Sequence, residues 1–305
     1  MNEVDKKLLN QIMEEDVTKE EVYNIRKNGA CIARKENPYI HITSKENGRG
    51  IDVTVKENTL FGTVHIPVLL TESGLVDVVE NDFHIGANSN VIIVSGCGVH
   101  NQHGKDSTHD GIHRFYLGEN AKVKYVEKHY GEGRGTGKKI LNPITEIYME
   151  KGSSMNIETV QIDGVDLAKR VTKAQLQEDT TLTITEKIKT SGKQQADTDF
   201  VVELLGEHAS CHVTSRSVAT ENSYQEFRSN IIGETVSYAH VECDAILKDQ
   251  GSVKAIPEIY AKHVDANLIH EAAIGKIAGE QLMKLMSLGL SEKEAEEKII
   301  EGFLK

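Results

Sequence analysis

The chain reads as mainly β: a right-handed β-helix or flattened β-solenoid with short helical parts at both ends. Three observations predict this. Turn residues at 152, 179, 206 and 233 recur every 27 residues, each leading into alternating small, polar and β-branched residues. Such regularity marks coils that cannot bury their own apolar face and must stack on neighbours. There is no Trp, and aromatic residues make up only 5% of the chain, so a core of Val, Ile, Leu, Ala and Thr has to serve, which suits short stacked strands. Finally, four Pro and no long helical pattern between strands disfavour a βαβ sheet. A jelly-roll or cupin-like sandwich is the competing architecture.

Residues 1–37 form the N-terminal helical segment. Val4, Leu8, Leu9 and Ile12 share one helical face. Thr18-Lys19-Glu20-Glu21 has capping-box form and Gly29 suits a C-cap, so a second short helix is expected there. Residues 38–265 form the β-helix core, with Gly118-Glu119-Asn120 and Gly206-Glu207-His208 among its turns. Residues 266–305 return to helical period, with a stripe of Ile274, Ile277, Leu282, Leu285 and Met286 ended by Gly289. A further capping box, Ser291 to Glu294, starts the last helix. A stripe of this kind is normally core, but at the end of a solenoid it also suits partner docking.

A net charge of −12 argues against nucleic-acid or anionic-membrane surfaces, which need basic patches. No run approaches the ~20 apolar residues that span a bilayer. The longest, Val64 to Leu70, contains His65 and Pro67. No signal-peptide stretch follows Met1, so the expected location is cytoplasmic. Cys31, Cys97, Cys211 and Cys243 are scattered, which in a reducing compartment predicts free thiols.

Alternation puts Ala239, Val241, Cys243 and Ala245 on one face of a strand, with His240, Glu242 and Asp244 on the other. A buried small hydrophobe is the ordinary role of such a Cys. His270-Glu271 precedes a helical pattern, near whose N-terminal dipole the carboxylate would be stabilised. An imidazole beside a carboxylate is also an iron-binding pair. The densest set of donors is Cys97, His100, His103, His109 and His113, read as an exposed loop and a second candidate metal site for zinc or iron. His208 and His212 share a strand face opposite Cys211.

Other templates fail: there is no G-x-S-x-G elbow, H-E-x-x-H or Walker-type loop. Gly131 to Lys139 is glycine-rich, but Leu141-Asn142-Pro143 follows instead of a helix, so a hairpin tip is expected and no bound nucleotide.

Gln225-Glu226-Phe227-Arg228, Ile231-Ile232-Gly233, His240 to Asp244, Pro257-Glu258-Ile259, His270-Glu271-Ala272 and Gly289-Leu290-Ser291 occur in an order that resembles the SufB/SufD family. These are scaffold proteins of SUF-type iron–sulfur cluster assembly. The resemblance covers roughly Leu117 to Phe303 and implies a β-helix between helical ends. It further implies a homodimer or SufB–SufD-like pair, and docking of a SufC-type ABC ATPase on the C-terminal helices. Sulfur would come from a cysteine desulfurase system, and a transient Fe–S cluster would be built at the dimer interface. By the same resemblance, Cys243 is sulfur acceptor and cluster ligand, Glu271 takes part in cluster formation, and His270 matches the histidine of both subunit kinds. Thiolate serves both as sulfur nucleophile and as cluster ligand.

Three departures bear on this. The chain stops at Lys305, where many members continue, and Ser287-Leu288-Gly289 replaces S-R-G; both weaken the expected ATPase docking. No second Cys follows Cys243 in Asp249 to Val253, which disfavours an all-thiolate cluster on one chain. The expected function is therefore a non-catalytic assembly scaffold whose ATP hydrolysis belongs to its partner. Its alternatives are a SufD-like structural subunit without a cluster and, from another class, a β-helix polysaccharide-active enzyme. The last needs a groove lined with carboxylates, Arg or aromatic platforms, and the low aromatic count and lack of a secretion signal disfavour it.

Overall fold

Successive strands alternate between two facing sheets, so the chain winds as a flattened β-solenoid. The computed structural model describes residues 1–13 and 16–305. One ten-stranded sheet runs from Ala30–Lys35 and Tyr23–Lys27 through Leu60–Leu70, Asn90–His100, Lys122–Glu132 and Ser154–Asp163. It continues through Thr181–Thr190, Ser210–Ala219 and Tyr238–Leu247 to Asn267–Gly275. The facing sheet runs from Ile40–Ser44 to Ser252–Ala261. Apart from hairpins at the N-terminal end, neighbouring strands pair in parallel. That excludes a jelly roll, whose strands are antiparallel.

The coil length varies more than the regular turns predict. Ser154 pairs with Thr181, 27 residues on, but Thr181 pairs with Ser210 and Lys122 with Ser154. Turn signals mark corners, and corners of different length are tolerated so long as inward positions still stack. One rung is split into Lys139–Leu141 and Ile144–Met149, because Pro143 lacks the N–H that an unbroken ladder needs.

Three expectations are corrected. The second N-terminal helix is absent: Val17–Lys19 is a single 3₁₀ turn capped by Asp16, and Tyr23–Lys27 is a strand. Asn28-Gly29, both at positive φ, form the two-residue turn to Ala30–Lys35, so Gly29 closes a hairpin and caps no helix. Gly131 to Lys139 is likewise no hairpin tip. It is a parallel solenoid corner whose Gly135 and Gly137 N–H groups donate to the Asn101 and His103 carbonyls of the coil before. Lastly, Ile274 belongs to the strand Asn267–Gly275, and helix begins only at Gly279.

Helix α1 (Glu3–Ile12) lies on the outer face of the first sheet, burying Leu8 and Ile12. Gly96 and Gly98 make this possible, since side chains there would meet Ile12 and Leu8. At the other end, α2 (Gly279–Ser287) buries no residue and exposes Met283 and Met286, and its C-cap Leu288 is exposed too. Helix α3 (Glu292–Phe303) is held by the Lys248–Glu296 ion pair and by Arg216 over the Phe303 ring.

Inside the coil, register turns each inward position into a column running along the axis. One column is apolar, Val64, Ile93, Tyr125, Ile157, Ile184, Val213 and Val241, ending at His270. Beside it runs Ser95, Glu127, Thr159, Glu186, Ser215 and Cys243, ending at Ala272. A polar seam therefore lies within an otherwise apolar interior. Arg170, reaching in from the facing sheet, pairs with Glu127 and lies 3.6 Å from Glu186.

Candidate functional site at the last coil

The alternation across Tyr238–Leu247 holds: Ala239, Val241, Cys243 and Ala245 point inward and are buried. Cys243 is only 1% exposed. Burial, reinforced by the charges of Glu186 and Asp244, pushes its thiol up to about 12. At neutral pH it is therefore a thiol, and forming thiolate needs a metal ion or another cation to replace lost solvation.

His270-Glu271 lies in the middle of Asn267–Gly275, not at a helix N-terminus, so the dipole argument does not apply. Val241 stands opposite His270, Glu242 opposite Glu271, and Cys243 opposite Ala272. His270 thus shares the inner face with Cys243, one strand across and two residues back along it. Neither of its ring nitrogens has a hydrogen-bond partner among the described residues, and burial lowers its pKa, with His240 adding. Glu271 points to the opposite, outer face and is 68% exposed. The three residues are adjacent in the fold, but one chain gathers only Cys243 and His270 on one face.

The strands around this pair are the last of both sheets. Among the described residues, Ser252–Ala261 and Asn267–Gly275 have no further neighbour, and Ile259, Tyr260, Val264 and Ile274 are exposed around them. An edge of this length with unpaired backbone groups is a template for another strand.

The second set does not assemble. Cys97, His109 and His113 lie in strands and are buried rather than looped out, and His100 ends its strand. The three histidines each find a partner of their own: His109 Nδ1 lies 3.1 Å from Asp77, His100 Nδ1 3.1 Å from Glu132, and His113 Nδ1 2.7 Å from Tyr125. Burial and the charges of Asp77 and Glu127 hold the Cys97 thiol far above its usual range. Gln102 accounts for the other His100 nitrogen, and His103 is exposed in the corner. Among the described residues, these five do not bring three ligand atoms together; only Asp52, Asp82 and His84 do so. That trio already holds Lys45 Nζ between its two carboxylates, at 2.7 and 2.8 Å. Of the remaining pair, His212 faces out opposite buried Cys211, whereas His208 sits in the corner at positive φ.

Sequence reading missed the seam behind Cys243. Donor counting makes its hydrogen bonds consistent. Arg170 can only donate, so His129 Nδ1 accepts from it at 3.2 Å. Tyr125 donates to Glu127 at 3.0 Å, so His113 Nδ1–H donates to the Tyr125 oxygen, and Asn81 donates to His113 Nε2 at 3.3 Å. Glu186 accepts from Ser215 and Thr198, both at 3.0 Å. Charged residues at inward positions of clear strands, Glu127 and Glu186, were the available signal.

The fold and this pair define a class: a β-solenoid whose last coil carries a thiol and an imidazole on its inner face, beside an open edge. Residues 70–303 match the family described as SUF system FeS cluster assembly, SufBD core domain, and the chain belongs to that family. It is 30% identical over 273 residues to an iron-sulfur cluster assembly SufBD family protein of Pyrococcus horikoshii, covering 85% of this chain and 78% of that one. A Methanocaldococcus jannaschii member is 28% identical over 246 residues, covering 79% and 76%. An Archaeoglobus fulgidus member is 32% identical over 219 residues, covering 71% of this chain and 58% of its own length. No helix among the described residues is long and apolar enough to cross a membrane.

Proposed function

We propose that this chain is a non-catalytic scaffold of a SUF-type complex, accepting sulfur at Cys243 and building a nascent Fe–S cluster with Cys243 and His270 as ligands. The observation that carries this reading is their shared inner face at the final coil. Two unpartnered imidazole nitrogens next to a buried thiol suit a soft metal centre better than a structural core. The open edge favours a second copy, or a SufB/SufD-like paralogue, meeting the chain there and completing the ligand set. The exposed Met283 and Met286 of α2, with its C-cap Leu288, offer an apolar face to a SufC-type ATPase, which would supply the ATP hydrolysis. Sulfur would arrive from a cysteine desulfurase, in the cytoplasm.

One observation favours the second reading, a SufD-like subunit that binds the ATPase but holds no cluster: the Cys243 thiol is buried and raised to about 12. Anaerobic reconstitution with iron and sulfide, in complex with the ATPase, separates the two. Visible and Mössbauer spectra of wild type and Cys243→Ser should show a cluster in the former and none in the latter. A colourless wild type that still binds the ATPase would establish the structural subunit.

A further inference from the structure

The net charge of −12 is unevenly spread over the solenoid. Four neighbouring strands, Lys122–Glu132, Ser154–Asp163, Thr181–Thr190 and Ser210–Ala219, turn Lys122, Lys124, Lys128, Lys187, Lys189 and Arg216 to the outer face of their sheet. Among the described residues the outward carboxylates of these strands, Glu132 and Glu158, are already paired with Lys7 and Lys187, which leaves Lys122, Lys124 and Lys189 without one. The outer side of the facing sheet is the acidic one, with Glu80, Asp82, Asp197 and Asp199 turned outward.

Two helices bound this basic strip. On one side α1 packs on Leu60–Leu70, Asn90–His100 and Lys122–Glu132. On the other, α3 is tied to Arg216 through the Phe303 carbonyl and ring. Between them the strands Ser154–Asp163 and Thr181–Thr190 present Val160, Thr183 and Thr185, all partly exposed. From Lys122–Glu132 to Ser210–Ala219 is three strand spacings, about 14 Å. A helix with its side chains is about 10–12 Å across, so one more helix fits the trough. On the α1 side the trough deepens into a cavity whose lining includes Ile12, Ile92, Val94, Lys124, Val126 and Glu158.

We propose that this trough is the docking groove for an acidic amphipathic helix of a partner protein. The helix lies between α1 and α3, its apolar stripe on Val126, Val160 and Thr185 and its carboxylates toward Lys124 and Lys189. A β-branched floor between cations matches such a helix, which needs an apolar seat and opposite charge on its flanks. An added strand would need a sheet edge, and this is the middle of a sheet. A nucleic acid would find phosphate partners here but would be repelled by the acidic remainder of the chain. Exposed lysines set orientation and association rate more than final affinity. Neither Cys243 nor the open edge takes part, so the groove stands apart from the scaffold reading.

Fluorescence anisotropy on the full-length chain tests this. The probe is a labelled synthetic helix of about 18 residues, with Leu along one face and Glu on the other. Saturable binding of one peptide per chain is expected, weakening as salt is raised. Lys124→Glu combined with Lys189→Glu should weaken it by about tenfold or more. Lys169→Glu combined with Lys173→Glu, on the outer side of the facing sheet, should leave it unchanged. All four lysines reach solvent, and unchanged urea midpoints would show that the variants fold. No binding to wild type, or equal binding to the Lys124/Lys189 double variant, would overturn the proposal. So would equal binding of the same peptide broken by a central Pro, or of a single-stranded DNA of the same charge, because either would reveal a surface for any polyanion.

Discussion

Acidifying the solution from pH 7 to about pH 4.5 should destabilise the solenoid by about 5 kcal/mol through two buried imidazoles alone. His113 is lowered from 6.5 to about 4 and His129 from 6.5 to about 3, in both cases chiefly by burial. For His129 the Arg170 guanidinium adds to this, donating to the Nδ1 that a new proton would have to occupy. The unfolded chain takes up these protons as pH falls below 6.5, while the folded chain refuses them until about 4 and 3. Throughout that window the unfolded state binds more protons, so stability falls with pH. About two units below the unfolded pKa, at about 1.4 kcal/mol per unit, each histidine contributes about 2.5 kcal/mol. That is a large share of a domain's usual ~5–15 kcal/mol. Glu127, held far below its usual range by Arg170 and neighbouring histidines, loses its contribution only below 4.5, outside this window. Glu186, raised by burial, binds its proton more tightly when folded and so shallows the slope. Urea midpoints followed by circular dichroism at stepped pH measure the effect. His129→Gln keeps an acceptor for Arg170 and should remove about half of the slope. A flat profile above pH 5, or an undiminished slope in the variant, would refute the argument.

Further outcomes follow from the same interior. Arg170→Met leaves Glu127 buried without its cation and should cost about 3–5 kcal/mol, read as a urea midpoint shift; Arg170→Met with Glu127→Gln should recover much of it. Gly164→Ala should destabilise measurably, because at its φ of +74° an added Cβ would overlap the Gly131 carbonyl of the neighbouring corner; an unchanged thermal midpoint would contradict that packing. A thiol reagent on the native protein should find one fast thiol, exposed Cys31, and three slow ones, Cys97, Cys211 and Cys243. Rapid labelling of Cys243 in the isolated chain would mean that the last coil opens readily.

Much of the fold was legible in the residues. Period-two alternation found the inward set of Tyr238–Leu247, and turn residues found the corners, because both depend on local geometry. The ordered motifs from Gln225 to Ser291 carried the family. Local signals failed where two patterns overlapped. A capping-box motif at Thr18 outweighed the Asn28-Gly29 turn, and the helical stripe through Ile274 masked a strand. That second error hid the alternation at His270-Glu271, which by itself places the two residues on opposite faces.

The sequence by itself determined that the chain stacks parallel coils, that Cys243 points inward, and which family it joins. Tertiary structure alone decided which residues meet. Coil lengths vary, so no spacing along the chain reveals that Val241 lies beside His270, Glu242 beside Glu271, or Glu186 beside Ser215. Contacts between coils depend on register across the ladder, which all the corners set together. It is that register which separates Glu271 from Cys243 and places it against His240, and which disperses the histidines from His100 to His113 among partners of their own.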